Sequence, residues 1–225
     1  MKKSNKFKSI VMAAVLIACS ATANAQLESG IYFDLTIPTG SFAKDVNAIP
    51  FGQSNIGKDA VVGIGATYRA SYDFDIQVGH IAPFAEISLL WNRISSDNRD
   101  QFDKVDGSAP NYFNIPLMLG INYKYPLNEL LQPYGEFGIG TDLFMTSKES
   151  FKGPLGTVKY KYSSTFNLCW QIGAGVIVGQ YFSAGLTYMN MGRHKMKHSS
   201  SSDGGNIGTE KRSLGAVMVR LGFHF

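Results

Sequence analysis

Several groups of residues in this chain have the types and spacing for chemistry. Asp34, Arg69, Glu86, Glu136, Asp142, Arg220 and His224 all fall on one phase of segments that alternate strictly in polarity. Isolated charges in a low-dielectric interior are costly, so these groups should pair. Two arginines among four carboxylates read as a salt-bridged plug, which is packing rather than a transport path or an active site. His198-Ser199-Ser200 with Glu210 downstream offers a nucleophile, a base and an acid, which would work only within hydrogen-bond reach of one another. They sit in a Ser- and Gly-rich run, Gly192–Arg212, that reads as a flexible loop. His194 and His198, four apart, could share a metal on a helix; in a loop they read as solvated. Asp97, Asp100, Asp103 and Asp106 could supply oxygens to Ca²⁺ but lack the EF-hand spacing, and a solvated loop is the expectation. The glycines recur at period two, so no phosphate-cradling loop is present. No catalytic residue, metal or cofactor is expected.

The N-terminus carries Lys2, Lys3, Lys6 and Lys8, an apolar run from Ile10 to Ala18, and Ala23-Asn24-Ala25 before Gln26. A basic stretch, a short apolar stretch and a small-residue cleavage site predict a secretory signal peptide over residues 1–25. The apolar run falls short of the roughly 20 residues of a membrane helix. Leu16-Ile17-Ala18-Cys19 also fits a lipobox that would lipidate Cys19; cleavage after Ala25 is favoured, because the strands that follow need no lipid anchor. Residues 26–225 then form one domain. Four of the 21 basic residues lie in the leader, leaving 17 against 17 acidic ones, so the basic balance does not point to nucleic acid. Cys169 is the only cysteine besides Cys19, which excludes an internal disulfide and a cysteine-based zinc site.

The elements that must position these residues are strands. At the C-terminus Val217, Val219, Leu221, Phe223 and Phe225 share one phase, and Ala216, Met218, Arg220, Gly222 and His224 the other. The same alternation predicts strands over Gly30–Ile37, Ala60–Ser71, a third ending near Arg93, Asn111–Tyr123, Gln132–Met145, Ser164–Val178 and a seventh from Phe182 to about Tyr188. Connections of roughly 16–20 residues follow strands one, three, five and seven, and connections of roughly 2–9 residues follow two, four and six. An even strand number with short turns at one end and long loops at the other is the outer-membrane barrel pattern. The expected fold is all-β: an eight-stranded antiparallel up-and-down transmembrane β-barrel.

The two faces decide between lipid and water outside. One face is almost continuous Val, Ile, Leu and Phe. The other is rich in glycine, including Gly63, Gly65, Gly120, Gly138, Gly140, Gly173, Gly175, Gly185 and Gly222. Small residues suit the crowded interior of an eight-stranded barrel. Tyr68, Trp91, Tyr123, Trp170 and Tyr188 are expected near strand ends as lipid-interface aromatics.

The leader ending Ala23-Asn24-Ala25-Gln26, the opening Leu35-Thr36-Ile37-Pro38-Thr39-Gly40-Ser41-Phe42-Ala43, the mid-chain Ile115-Pro116-Leu117-Met118-Leu119-Gly120 and the closing Leu221-Gly222-Phe223-His224-Phe225 together set a family pattern. The chain resembles the PorT-like outer-membrane β-barrel domain proteins common in Bacteroidetes. The resemblance implies an eight-stranded barrel in the bacterial outer membrane and supplies no catalytic residues. A chain ending on Phe resembles the final barrel strand, with Phe223 and Phe225 as part of an assembly signal. Some PorT-like members are linked to protein secretion, which barrel features alone do not transfer.

The functional expectation is a non-catalytic barrel with a side-chain-filled lumen, acting through its outer loops or as a structural or small-porin-like element. Expected partners are outer-membrane lipids and lipopolysaccharide, the barrel assembly machinery and a protein at the outer loops, with no nucleic acid. Two alternatives stand beside it. One is a conduit for small apolar molecules through a gap in the barrel wall. The other is a hydrolase resembling lipid A deacylase barrels, which carry a His-x-Ser pair near their last strands.

Overall fold

The computed structural model describes residues 27–43, 59–104, 106–153, 156–200 and 206–225. The expected signal peptide over 1–25, with Cys19, lies outside the described residues. The elements are β1 (Leu27–Pro38), β2 (Gly63–Tyr72), β3 (Phe74–Asp75), β4 (His80–Arg93), α1 (Ser96–Asp103), β5 (Asn111–Lys124), β6 (Leu131–Thr146), β7 (Glu149–Gly153), β8 (Gly156–Tyr162), β9 (Thr165–Val178), β10 (Phe182–Ser200) and β11 (Asn206–His224).

Strands β1, β2, β4, β5, β6, β9, β10 and β11 pair in that order, each antiparallel to the next, and β11 returns to β1. This closes the eight-stranded up-and-down barrel that the alternation predicts, and closure removes every free edge within it. Short turns join β5 to β6 and β9 to β10 at the end that also holds Leu27 and Phe225. In one of them Asn128 Oδ1 accepts from the amides of Leu130 and Leu131, at 2.9 and 2.8 Å. The strand ends that the long connections join all lie at the opposite, loop end.

Alternation becomes two physically different surfaces. On β1, Ile31, Phe33, Leu35 and Ile37 are exposed while Tyr32, Asp34 and Thr36 are buried. The outward face carries large apolar residues on every barrel strand, with Leu119 63% and Leu168 77% exposed. Soluble monomers rarely expose contiguous apolar patches beyond a few hundred Å². A band around the whole circumference is the surface of a protein solvated by hydrocarbon.

The interior departs from the expectation of small and polar filling. Its loop-end half is an apolar layer built by Leu90, Tyr112, Met118, Phe144, Met189, Met191, Leu214 and Met218. Phe42 and Phe102 close over this layer from the first two long connections, both almost fully buried. Methionine fills irregular gaps between strands without demanding one shape, so long inward side chains replace the open volume that the glycines would leave.

Three further segments differ from their sequence reading. The Asp-rich loop after β4 contains α1, capped by Ser95, whose Oγ accepts from the Asn98 amide. Asp97, Asp100 and Asp103 therefore sit on a helix rather than in an irregular loop. The segment Thr146–Tyr162 folds into the β7–β8 hairpin, whose second strand pairs with β10. The run Gly192–Arg212, read as flexible loop, is largely the outer part of β10 and β11, paired to each other far beyond the barrel rim. Its outward residues, Arg193, Lys195, Lys197, Thr209 and Lys211, are exposed and polar, so no apolar alternation marks it as strand.

Candidate functional site: the lumen network

The barrel register brings five of the seven inward ionisable residues into one network. Arg69 on β2 donates from Nε and Nη2 to Glu86 Oε2 on β4, at 2.9 and 2.6 Å, and from Nη1 to Glu136 Oε2 on β6, at 2.6 Å. Arg220 on β11 donates from Nε to Asp34 Oδ1 on β1 at 2.8 Å. Its Nη2 reaches Glu86 Oε1 at 3.4 Å and Thr67 Oγ1 at 3.1 Å. Thr67 Oγ1 lies 2.6 Å from both Asp34 Oδ2 and Ser88 Oγ, and Thr187 Oγ1 donates to Glu136 Oε1 at 3.0 Å. Phe84 covers the Arg69 guanidinium at 4.1 Å, and Tyr32 lies 5.2 Å from Arg69 and 5.5 Å from Arg220. The carboxylates and guanidinium groups are buried, and each has several partners, the condition under which an ion pair survives desolvation. Chemically this arrangement ties six strands together and fills the lumen cross-section.

Asp142 and His224 lie apart from that network. Asp142, at the loop end of β6, neighbours His194, with Nε2 to Oδ2 at 3.3 Å. His194 is not solvated, as its place in the polar run suggests, but buried, 1% exposed. Its Nδ1 lies 2.8 Å from Thr165 Oγ1 and its Nε2 2.8 Å from the Met191 carbonyl. The cause is a β-bulge between Asn190 and Gly192, where Gly192 takes a positive φ of 79°. One inserted residue reverses the phase of everything beyond it.

His224 belongs to a third cluster at the turn end, which sequence reasoning missed. Its Nδ1 pairs with Glu28, and its Nε2 lies 2.8 Å from Ser183 Oγ. Glu28 also pairs with Lys124, whose Nζ reaches Asp73 Oδ2 at 2.9 Å. Lys124 is buried even though lysines in this chain mostly occupy connections. Glu28 and Lys124 continue the inward phases of β1 and β5 past the ends the alternation suggested. Extending each strand by a few residues would have found both.

The aromatic residues divide similarly. Tyr68 and Tyr123 face outward towards the turn end, where their hydroxyls meet Ser29 Oγ at 3.2 Å and the Val78 carbonyl at 2.7 Å. Trp91, near the loop end of β4, is covered by the Arg93 guanidinium at 4.6 Å. Trp170 and Tyr188 pack edge-on at 5.5 Å; Trp170 lies inside the apolar band rather than near a strand end, whereas Tyr188 is the last outward apolar residue of β10 before Arg193. Leu168 and Phe166 continue the band on β9 beyond Trp170. Phe223 faces outward between Phe182 and Phe225, and the Phe225 amide donates to the Ser29 carbonyl at 2.8 Å, sealing the barrel seam.

The side chains of His198, Ser199, Ser200 and Glu210 lie outside the described residues; their backbones belong to β10 and β11. Among the described residues, no group of three or more His, Cys, Asp or Glu side chains is placed to hold a metal ion. No helix there is long and apolar enough to cross a membrane.

Several solved outer-membrane barrels are similar to this chain at low identity. Ail, the attachment invasion locus protein of Yersinia pestis, is 13% identical over 89% of this chain and 98% of that chain, with a TM-score of 0.42. The outer membrane enzyme PagL is 15% identical over 86% and 97%, with a TM-score of 0.46. OprG from Pseudomonas aeruginosa is 13% identical over 89% and 96%, also with a TM-score of 0.46. No curated protein matches the chain. The model of the outer membrane protein beta-barrel domain matches residues 10–225, and the chain belongs to that family.

Proposed function

We propose that this is a non-catalytic outer-membrane barrel with a closed lumen, whose working surface is its loop end. The observation that carries this reading is the network of Arg69, Arg220, Asp34, Glu86 and Glu136, buried to within a few per cent across the lumen. An apolar layer lies above it in series. A path for water or solute would have to break buried ion pairs and part packed methionine and aromatic side chains. The loop end, by contrast, extends as paired β10 and β11 with the β7–β8 hairpin alongside. That is a surface to present to a protein partner. Residues 1–25 serve as the signal peptide, and Phe223 and Phe225 are read by the barrel assembly machinery. The finer PorT-like resemblance rests on the motifs around Leu35–Ala43 and Ile115–Gly120. Outer-membrane lipids and lipopolysaccharide surround the apolar band, with Tyr68, Trp91 and Tyr123 towards its edges.

The test is conductance of the refolded protein in planar bilayers, with a heat-modifiability gel establishing that the barrel has formed. The expected result is silence; steady single-channel steps would overturn the closed lumen. One observation favours the apolar-conduit alternative: the β4–β5 pairing is interrupted between Ile87↔Leu117 and Leu90↔Asn114. Pro116 falls in that gap and has no amide to donate. The register is the same on both sides, so the wall is weakened there without being parted.

A further inference from the structure

Beyond the rim, the β10–β11 hairpin carries a charge pattern that neither the lumen nor the packing explains. After the bulge at Gly192, the outward residues of β10 are Arg193, Lys195 and Lys197; those of β11 are Thr209, Lys211 and Ser213. All six are exposed. Lys195 and Lys211 stand directly opposite each other in the register. Like charges in that position destabilise a strand pair, and among the described outward residues of these two strands none is acidic to offset them. The stripe instead has the form of an anion-binding surface.

Its position selects the anion. The outward series of β10 runs Phe182, Leu186 and Tyr188 before reaching Arg193. On the adjacent strand, Leu168 and Phe166 raise the apolar band towards the same level. A Cβ on Gly192 would run into the Leu168 carbonyl, and Thr165 bonds the His194 ring. The cations therefore begin where the hydrocarbon-facing surface stops, on the same side of the wall. In a bilayer that level is the headgroup layer. Basic residues near an anionic membrane surface each contribute attraction that falls off within a Debye length.

We infer that Arg193, Lys195, Lys197 and Lys211 bind the phosphate groups of the glycolipid headgroups in the outer leaflet. The inference rests on the membrane-embedded reading with the loop end outward. A bound phosphate would neutralise the Lys195–Lys211 repulsion and tie the protruding hairpin to the membrane plane.

The experiment compares the full-length refolded barrel with K195Q/K211Q, using diphosphoryl lipid A in mixed detergent micelles and reading bound lipid by native mass spectrometry. Loss of two interfacial cations should weaken binding roughly 10- to 30-fold. Lipid A stripped of both phosphates should bind the wild type no better than the variant. Equal binding by wild type and variant, or by the phosphorylated and stripped lipids, would overturn the inference. Tighter binding of a soluble sulfated oligosaccharide than of lipid A would overturn it too, moving the partner from the lipid to a free polyanion. The heat-modifiability gel separates the two readings. A folded barrel indifferent to phosphate ends this inference alone, whereas a chain that forms no barrel in detergent ends the membrane reading and this inference with it.

Discussion

Asp34 and Arg220 are 186 positions apart in the chain, yet Arg220 Nε donates to Asp34 Oδ1 at 2.8 Å inside the lumen. They are directly opposed in the β1–β11 register, so the first and last strands of the barrel are locked by an ion pair as well as by their backbone ladder. The same guanidinium reaches Glu86 on β4, which makes Arg220 the side chain that ties the seam to the far wall.

Replacing it should therefore be costly. R220M keeps much of the volume but leaves Asp34 without its buried cation and Glu86 with Arg69 alone. The expected loss is about 3–5 kcal/mol, read as a lowered urea midpoint of the detergent-folded barrel. The neighbouring outward change L221A should move the midpoint far less. Equal effects from both would show that the network contributes little beyond packing.

Gly173 lies where β9 passes the Thr187–Glu136 bond. A Cβ there would stand 2.6 Å from Thr187 Oγ1 and 2.9 Å from Glu136 Oε1. G173A should push these groups apart and cost about 1–3 kcal/mol as overpacking. The urea midpoint measures it; an unchanged midpoint would mean that the lumen has room to spare at this level.

Cys169 faces inward, with Sγ 3.1 Å from Met118 Sδ, and is buried within the apolar layer. It should resist a bulky maleimide in the folded barrel and react fully once the protein is boiled in SDS. Labelling of the folded form at the rate of a free thiol would contradict the packed loop-end half.

The bulge at Gly192 makes opposite forecasts for adjacent residues. H194A removes a buried ring bonded to Thr165 and the Met191 carbonyl, and should cost about 1–3 kcal/mol. K195A changes an exposed residue and should stay within about 0.5 kcal/mol. Reversal of that order in a denaturation series would place the bulge elsewhere.

The strands, their number, the long–short order of the connections and the inward set from Asp34 to Arg220 were legible in the sequence. Side chains alternate at a period of two whatever the strand pairs with, and lipid outside demands an unbroken apolar phase. The sequence alone thus determined the barrel and the identity of the buried charges. It did not determine which charges meet. Pairing across the lumen depends on the stagger of strands distant in the chain, so only the closed barrel separates the Arg69–Arg220 network from Asp142–His194 and from Glu28–Lys124–His224. The outer parts of β10 and β11 stayed hidden for a different reason. Their outward residues are polar, so no apolar alternation marks them, and one residue inserted at the bulge sends His194 inward and Arg193 and Lys195 outward. Tertiary structure decided that orientation, because a phase reversal leaves no trace in composition.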